Sequence, residues 1–338
     1  MSARNPADPA LGKVSEQVSV SGPGEFDLIA RYFAPLAGPG AFGLGDDAAV
    51  LTPTSGQQLV FTADAIISGV HFLVDDPAAD VAAKLLAVNL SDLAAMGAKG
   101  VGYLITTAWP RALDEGWIAT FAQGLAEAQA AYAVALLGGD TVATDGPMCL
   151  SLTAIGELPI DTALRRNGAR PGDHIYVSGR IGDAGVGLRI LRDGLLGGPA
   201  ADRLMAVKRY HRPRPRLALG RSLRGLASAC IDVSDGLVAD LTHLSDRSCA
   251  RMVIELARVP ISPLADLIGG AAGAIVAGDD YELLFTALPA DETRLLAAAS
   301  AAALAVTCIG QVVEGEGVEV LDQAGNAVVI DHGGYRHF

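Results

Sequence analysis

Apolar and polar positions along the chain switch between helical and strand periods, and the switches mark out its elements. Near the start, "GEFDLIARYFAPL" sets Phe26, Ile29, Ala30 and Phe33 at helical spacing and predicts a first helix. "AAVL" and "QQLVFTADAIISGVHF" carry strand-like apolar runs that break at charged residues and glycines. "DPAADVAAKLLAVNLSDLAAMGA" predicts a strong helix, opened by Asp76-Pro77 and closed by Gly97. A strand "GVGYLITTAW", a helix "LDEGWIATFAQGLAEAQAAY", a strand with a turn in "VALLGGDTV" and a strand "MCLSLTAIGEL" follow.

The pattern then changes at "RRNGARPGDHIYVSG", a loop rich in Gly, Pro and Arg, which puts a domain boundary near residues 155–165. The division expected is a flexible leader at 1–22, an N-terminal domain at 23–158 and a C-terminal domain at 159–338. In the second half a helix is expected at about Gly185–Asp193, a loop at "RYHRPRPRLALG" and a helix to Leu226. "ACIDVSDGLVADLTHLSD", a strand in "VIELARVP" and a turn and strand in "AIVAGDDYELLFTAL" come next. A helix at Asp291–Ala303 leads into the closing strands "AVTCIGQVV" and "GVEVLD". Strands and helices interleave in both halves, so the fold class is α/β (α+β) in two domains. No solenoid-length repeat is present, although a Gly/Asp turn beside an apolar strand recurs in "GLGDDAAVL" and "AGDDYELLF".

Composition narrows the function. A length of 338 residues fits two domains of ordinary size, and 51% hydrophobic with only 5% aromatic residues means cores of small and branched aliphatics. A net charge of −13 with no offsetting Lys/Arg block argues against nucleic acid or an anionic membrane as partner. A polyanionic ligand would therefore meet the carboxylates through divalent cations. The four cysteines (Cys149, Cys230, Cys249, Cys308) show no metal-ligand spacing and read as thiols in a reducing compartment. The N-terminus has no signal-peptide core, and the Ala-rich run Leu295–Ile309 is shorter than the roughly 18 residues a membrane span needs. A cytoplasmic protein is expected.

The candidate chemistry lies in aspartates at element ends: Asp46-Asp47, Asp64, Asp92, Asp140, Asp232, Asp235 and Asp279-Asp280. Any one of them alone reads as a turn residue or helix cap. Asp92 is different, because it lies in a helix among Leu90, Leu93, Ala94, Ala95 and Met96, with Asn89 on the same side and Lys84 about 80° around. A carboxylate set there needs a partner, since burying it unpaired costs several kcal/mol. Mg²⁺ takes hard oxygen ligands, typically one or two carboxylates plus substrate phosphates. Aspartates on several separated segments therefore point to more than one Mg²⁺ bridging a polyphosphate. Gly43, Gly45, Gly138, Gly139, Gly236 and Gly278 would let backbone approach it closely. The chain has neither a Walker A loop nor the H-R-D and D-F-G signatures of protein kinases.

"GEFDLIARYF", "GLGDDAAVL", "KLLAVNLSDLAAMGA", "LLGGDT", "RPGDHIYVSG", "DVSDGLVADL", "GDDYELLFT" and "GYRHF", in this order from Gly24 to Phe338, resemble the thiamine-monophosphate kinase family. The resemblance implies ATP-dependent phosphorylation of thiamine monophosphate to thiamine diphosphate. It also implies the two-domain fold shared with aminoimidazole ribonucleotide synthetase, with N-terminal domains pairing in a homodimer. Carried over residue by residue, the family's Mg²⁺ ligands fall on Asp47, Thr62, Asp64, Asp92, Asp140, Asp232 and Asp235. Ala63 stands where the family often has a hydroxyl residue, so any contact there would come from its carbonyl. ATP contacts fall on Gly139, Asp140, Arg166 and Ser234, and thiamine-phosphate contacts on His71, Asp279 and Tyr335. Many members carry Glu where this chain has Asp279, which shortens the reach of that acid. Read without the family, His71 is first a strand-end histidine, Arg166 a solvated basic turn residue and Tyr335 a packing aromatic, and the resemblance reverses the reading of His71; Asp280, Tyr281 and Glu282 read as structural.

Because the acceptor is already an anion, the mechanism expected is direct in-line transfer with no covalent nucleophile and no general base. Within the same superfamily, a selenophosphate synthetase would need a reactive Cys near the N-terminus, and a hydrogenase maturation factor a C-terminal Cys. This chain has its first Cys at 149 and ends "GYRHF". A non-catalytic sensor would not need aspartates in every motif, and a Ca²⁺ protein would show an EF-hand-type loop, which is absent.

Overall fold

The computed structural model describes residues 24–330 together with Gly334 and Tyr335, so the expected leader at 1–22 lies outside the described residues. The chain enters through α1 (Glu25–Leu28), which runs on as π and 3-10 turns to Leu36 and buries Phe33 and Leu36. "AAVL" at 48–51 is irregular; the first strand is β1 (Gln57–Ile67). Then come α2 (Ala78–Ala95), β2 (Lys99–Pro110), α3 (Glu115–Tyr132), β3 (Ala135–Thr144) and β4 (Cys149–Pro159). They form a sheet of order β1-β4-β2-β3, in which β2 and β3 are parallel and joined through α3. The turn expected in "VALLGGDTV" is a bulge: the register slips at Leu137, and β3 continues unbroken through Asp140.

A helix apolar on every side must be covered on every side, and α2 is. Fifteen of its residues are buried, including Lys84, Asn89 and Ser91. One side packs with α3 onto the inner face of the sheet, forming the first core around Leu85, Leu86, Tyr103, Phe121 and Leu152. Its C-terminal residues Ala94 and Ala95 belong to a core of the second domain.

The second domain contains β5 (His174–Ser178), α4 (Asp183–Asp193), α5 (Ala200–His211), α6 (Leu217–Leu223), β6 (Ala227–Asp232) and α7 (Leu237–Ser248). β7 (Arg251–Glu255), α8 (Gly270–Ala274), β8 (Leu283–Ala287), α9 (Glu292–Ala301), β9 (Val306–Val313) and β10 (Val318–Leu321) complete it. Its sheet runs β10-β7-β9-β5-β8-β6. One face carries α7 through Leu237, Leu241 and Leu244; the other carries α6, α9 and the end of α2 through Leu219, Leu223, Leu295 and Ala94. The segment expected as loop before "RPRPRLALG" is instead the end of α5, whose Ala206 and Tyr210 are buried. Among the described residues no helix is long and apolar enough to cross a membrane.

Candidate active site

Polar residues of α2 tie the two domains together where they meet. The buried Asn89 accepts the Asp64 N–H on Oδ1 (3.0 Å) and donates its amide to the Leu85 carbonyl (2.9 Å), pinning β1 to the helix. Thr62, two residues back and so on the same face of β1, donates from Oγ1 to Asp92. Ser91 donates from Oγ to Asp232 Oδ2 at 2.7 Å, across to the end of β6. Thr62, Asp64, Asp92 and Asp232 are thus gathered by one helical turn.

The loop after β6 brings Asp235 into the same place. Asp240, in the first turn of α7, accepts the N–H groups of Ser234, Asp235 and Gly236 at 3.0, 3.1 and 3.2 Å and curls "VSDG" around its carboxylate. The "AGDDYE" turn closes against that loop through Asp279 N–H to Ser234 O and Tyr281 N–H to Val233 O, both 2.8 Å. Gly278 permits the approach: a Cβ there would lie 2.5 Å from the Ser234 carbonyl oxygen. The C-terminal tail docks on the same loop, Tyr335 N–H donating to Asp235 O at 3.0 Å.

Asp64, His71, Lys84, Asp92, Arg166, Asp232, Ser234, Asp235, Asp279 and Tyr335 line one cavity of about 590 Å³. His71 accepts the Ile67 N–H on Nδ1 (3.0 Å) and so also closes the turn after β1. A second cavity of about 610 Å³ lies on the far side of Asp92, Arg166 and Asp232, which line both, and adds Thr62, Arg165 and Arg247. Two acid neighbours of the motif are structural. Asp280 accepts the N–H groups of Gly182 and Ala184, and Glu282, buried, is held by Ser178 and by both arms of Arg216.

The acids at the domain junction resist ionisation. Burial first, then the neighbouring carboxylates Asp92 and Asp235, raise the Asp64 carboxyl to about 6. Burial, with Asp92 adding to it, pushes Asp232 up to about 7, against the opposing Ser91 hydrogen bond and Arg166. Asp92 is raised by burial, with Thr62 and Arg166 opposing. Burial and the charges of Asp232 and Asp235 lift Asp240 to about 8, despite the N–H groups it accepts. Several carboxylates around Arg166 make a site short of positive charge, and a hard oxygen set of four Asp and one Thr suits Mg²⁺.

Asp47, Gly139 and Asp140 stand elsewhere. With Asp46 they line a third cavity, about 450 Å³, beside Phe33, Leu104 and Leu136. β1 and β3 are opposite edges of the sheet, so Asp64 and Asp140 are separated by three strand spacings, about 14 Å. They also differ in face: register places Asp140 across from Thr106, Ser151 and Ala65, on the outer surface with Ala63, while Thr62 and Asp64 face α2. One chain does not bring the two groups together. Gly139 has a local reason to be glycine, because a Cβ there would lie 1.7 Å from the Ile105 carbonyl oxygen of β2.

Two contributors escaped the sequence reading. Lys84 is one; its signal was an ammonium in an apolar helix, the same signal that singled out Asp92. Asp240 is the other, the third acid of "DVSDGLVAD", spaced to reach back over the loop.

Residues 45–158 match the N-terminal domain, and residues 170–323 the C-terminal domain, of AIR synthase related protein. The thiamine-monophosphate kinase of Caulobacter vibrioides is 42% identical over 306 residues, covering 88% of this chain and 86% of its own. That of Escherichia coli K12 is 40% identical over 323 residues, covering 93% and 98%. Among solved structures, thiamine-monophosphate kinase from Stenotrophomonas maltophilia superposes with a TM-score of 0.77 at 43% identity, over 84% of this chain and 91% of that one. AaThiL complexed with AMPPCP and TMP superposes with a TM-score of 0.75 at 31% identity, over 88% and 97%. The hydrogenase maturation protein HypE, at 20% identity and a TM-score of 0.78, shares the fold alone.

Proposed function

The chain belongs to the thiamine-monophosphate kinases, within the AIR synthase related proteins, and from that footing we propose that it transfers the γ-phosphoryl group of ATP directly to thiamine monophosphate. The observation that carries the mechanism is the wall formed by Asp92, Arg166 and Asp232, which two cavities share. The acceptor occupies the side lined by His71, Asp279 and Tyr335. The triphosphate lies along the far side against Arg166, with Arg165 and Arg247 adding positive charge, and its γ end reaches Ser234 on the acceptor side of the wall. An oxygen of the acceptor phosphate attacks the γ-phosphorus, the bond to the β-bridging oxygen breaks, and ADP leaves. The acceptor oxygen is already anionic, so no side chain has to remove a proton, and none is assigned as nucleophile or general base.

Two anions approaching a wall of carboxylates repel it and each other. Thr62, Asp64, Asp92, Asp232 and Asp235 would hold Mg²⁺, which when bound supplies charge neutralisation and polarises the γ-phosphoryl group. The chain's own residues do the positioning: Asn89 fixes Asp64, Ser91 fixes Asp232, and Asp240 fixes the loop bearing Ser234 and Asp235. Four free thiols, one of them the exposed Cys249, fit a reducing cytoplasm.

The site also needs a second copy of the chain. The outer face of the first sheet exposes Phe61 (62%), Leu104 (38%) and Val142 (45%) on three different strands, an apolar surface suited to an isologous dimer. Asp140 and Ala63 lie on that face. Pairing would carry Asp47, Gly139 and Asp140 of one subunit to the site of the other and reunite the two groups.

The test is a coupled ADP-release assay with thiamine monophosphate, free thiamine and an aminoimidazole precursor offered as acceptors. Turnover with thiamine monophosphate is expected. Turnover with free thiamine and none with its monophosphate would overturn the substrate assignment, and a phosphorylated enzyme residue would overturn direct transfer.

A further inference from the structure

Lys84 is an ammonium with almost no water: 2% of its side chain is exposed. A charge taken out of water in this way requires partners inside the protein. Its partners come from two other parts of the fold. Nζ donates to Asp279 Oδ2 at 2.7 Å, across the domain junction, and lies 4.0 Å from the ring centre of Tyr210 on α5. The ring is itself held, because the Tyr210 hydroxyl donates to Asp76 Oδ2 at 3.0 Å and accepts the Leu73 N–H at 3.2 Å. An aromatic ring over a desolvated ammonium attracts it through the negative face of its π system.

The far end of this chain of contacts is the acid that faces the cavity. Asp279 is a third exposed, has φ of 70° and precedes by two a residue with φ of 49°, Tyr281. Neither is glycine, so the turn is held in a left-handed conformation that persists only where its surroundings enforce it. Lys84 holds one carboxylate oxygen and the Tyr281 hydroxyl donates to the other at 3.3 Å, which fixes both the plane of the carboxylate and the turn that carries it.

We propose that Lys84, braced by the Tyr210 ring, is a positioning residue for acceptor recognition: it aims the Asp279 carboxylate at the cationic heterocycle of the phosphorylated acceptor. The inference rests on the acceptor occupying the cavity that Asp279 lines. Lys84 acts through the Asp279 carboxylate, so its loss falls first on acceptor binding, while the arginines that meet the nucleotide, Arg165 and Arg247, lie beyond Asp92 and Asp232.

The experiment measures KM for thiamine monophosphate at saturating ATP, and KM for ATP at saturating acceptor, in the full chain. Lys84→Met should raise the acceptor KM about tenfold or more and leave the ATP KM within about twofold. Lys84→Arg, which keeps the charge, should recover most of the loss. Tyr210→Leu should move the acceptor KM in the same direction, and Tyr210→Phe, which keeps the ring, should move it less. In an Asp279→Asn background Lys84→Met should add little, because the two act as one unit. Should Lys84→Met fail to fold, Lys84→Arg and the Tyr210 pair decide the matter. Equal rises in both KM values, an Arg variant no better than Met, or a Tyr210→Leu variant with an unchanged acceptor KM would overturn the inference and leave the substrate assignment standing. Absence of turnover with thiamine monophosphate by the unaltered chain would overturn both.

Discussion

Replacing Asp232 by Asn should stabilise the metal-free protein while abolishing its activity. Asp232 is 4% exposed, and burial beside Asp92 lifts its carboxyl from 3.8 to about 7. A group whose folded pKa is raised binds more protons in the folded state than in the unfolded one. Stability therefore falls as pH rises between about 4 and 7, and the full penalty is present above about 7. A gap of about three pH units at about 1.4 kcal/mol each corresponds to about 4 kcal/mol. Because Asp92 shares the titration, removing one charge should recover a part of this, about 1–3 kcal/mol. Asn keeps an oxygen to accept the Ser91 hydrogen bond, so packing is little changed. Urea unfolding with a chelator present should show the variant more stable than the unaltered chain at about pH 8, with the difference gone near pH 4. Adding Mg²⁺ at about pH 8 should then stabilise the unaltered chain more than the variant. A variant less stable at about pH 8, or a difference that does not change with pH, would refute the reading that these acids are strained by one another.

Mixing Asp47→Asn with Asp235→Asn, each inactive as a pure dimer, should restore about a quarter of normal activity after subunit exchange, since half the dimers are mixed and each has one complete site. No restoration would mean that the two aspartate groups do not meet across subunits. Arg216→Met should lower stability by about 3–5 kcal/mol in urea unfolding, because it leaves Glu282 buried without its cation; adding Glu282→Gln should recover much of that. A single variant within about 1 kcal/mol of the unaltered chain would show that the pair does not anchor this turn.

How far such a site can be read from a sequence depends on whether the information is local. Period and breakers placed α2, α3, α4 and α9 closely, because each has a strong apolar pattern and a marked end. The end of α5 reads as loop because of its arginines and the prolines beyond it, and only packing against α4 shows that Ala206 and Tyr210 are core. The aspartates were equally visible, yet their spacing along the chain says nothing about which share a space. Two further facts separate them: strand parity, which turns Asp64 and Ala63 to opposite faces of β1, and the order β1-β4-β2-β3, which sets Asp140 on the far edge. Parity alone was available beforehand; the order depends on contacts between residues far apart in sequence. Lys84 is the sharper instance. Its 80° offset from Asp92 was legible, but its partners at 210 and 279 lie 126 and 195 positions away, and neither local propensity nor charge pattern links them. What the sequence could have supplied is the demand, since a lysine inside a helix buried on all sides requires an acid. That demand does not say which of the chain's 38 acidic residues answers it, so the pairing with Asp279 becomes visible only in the fold.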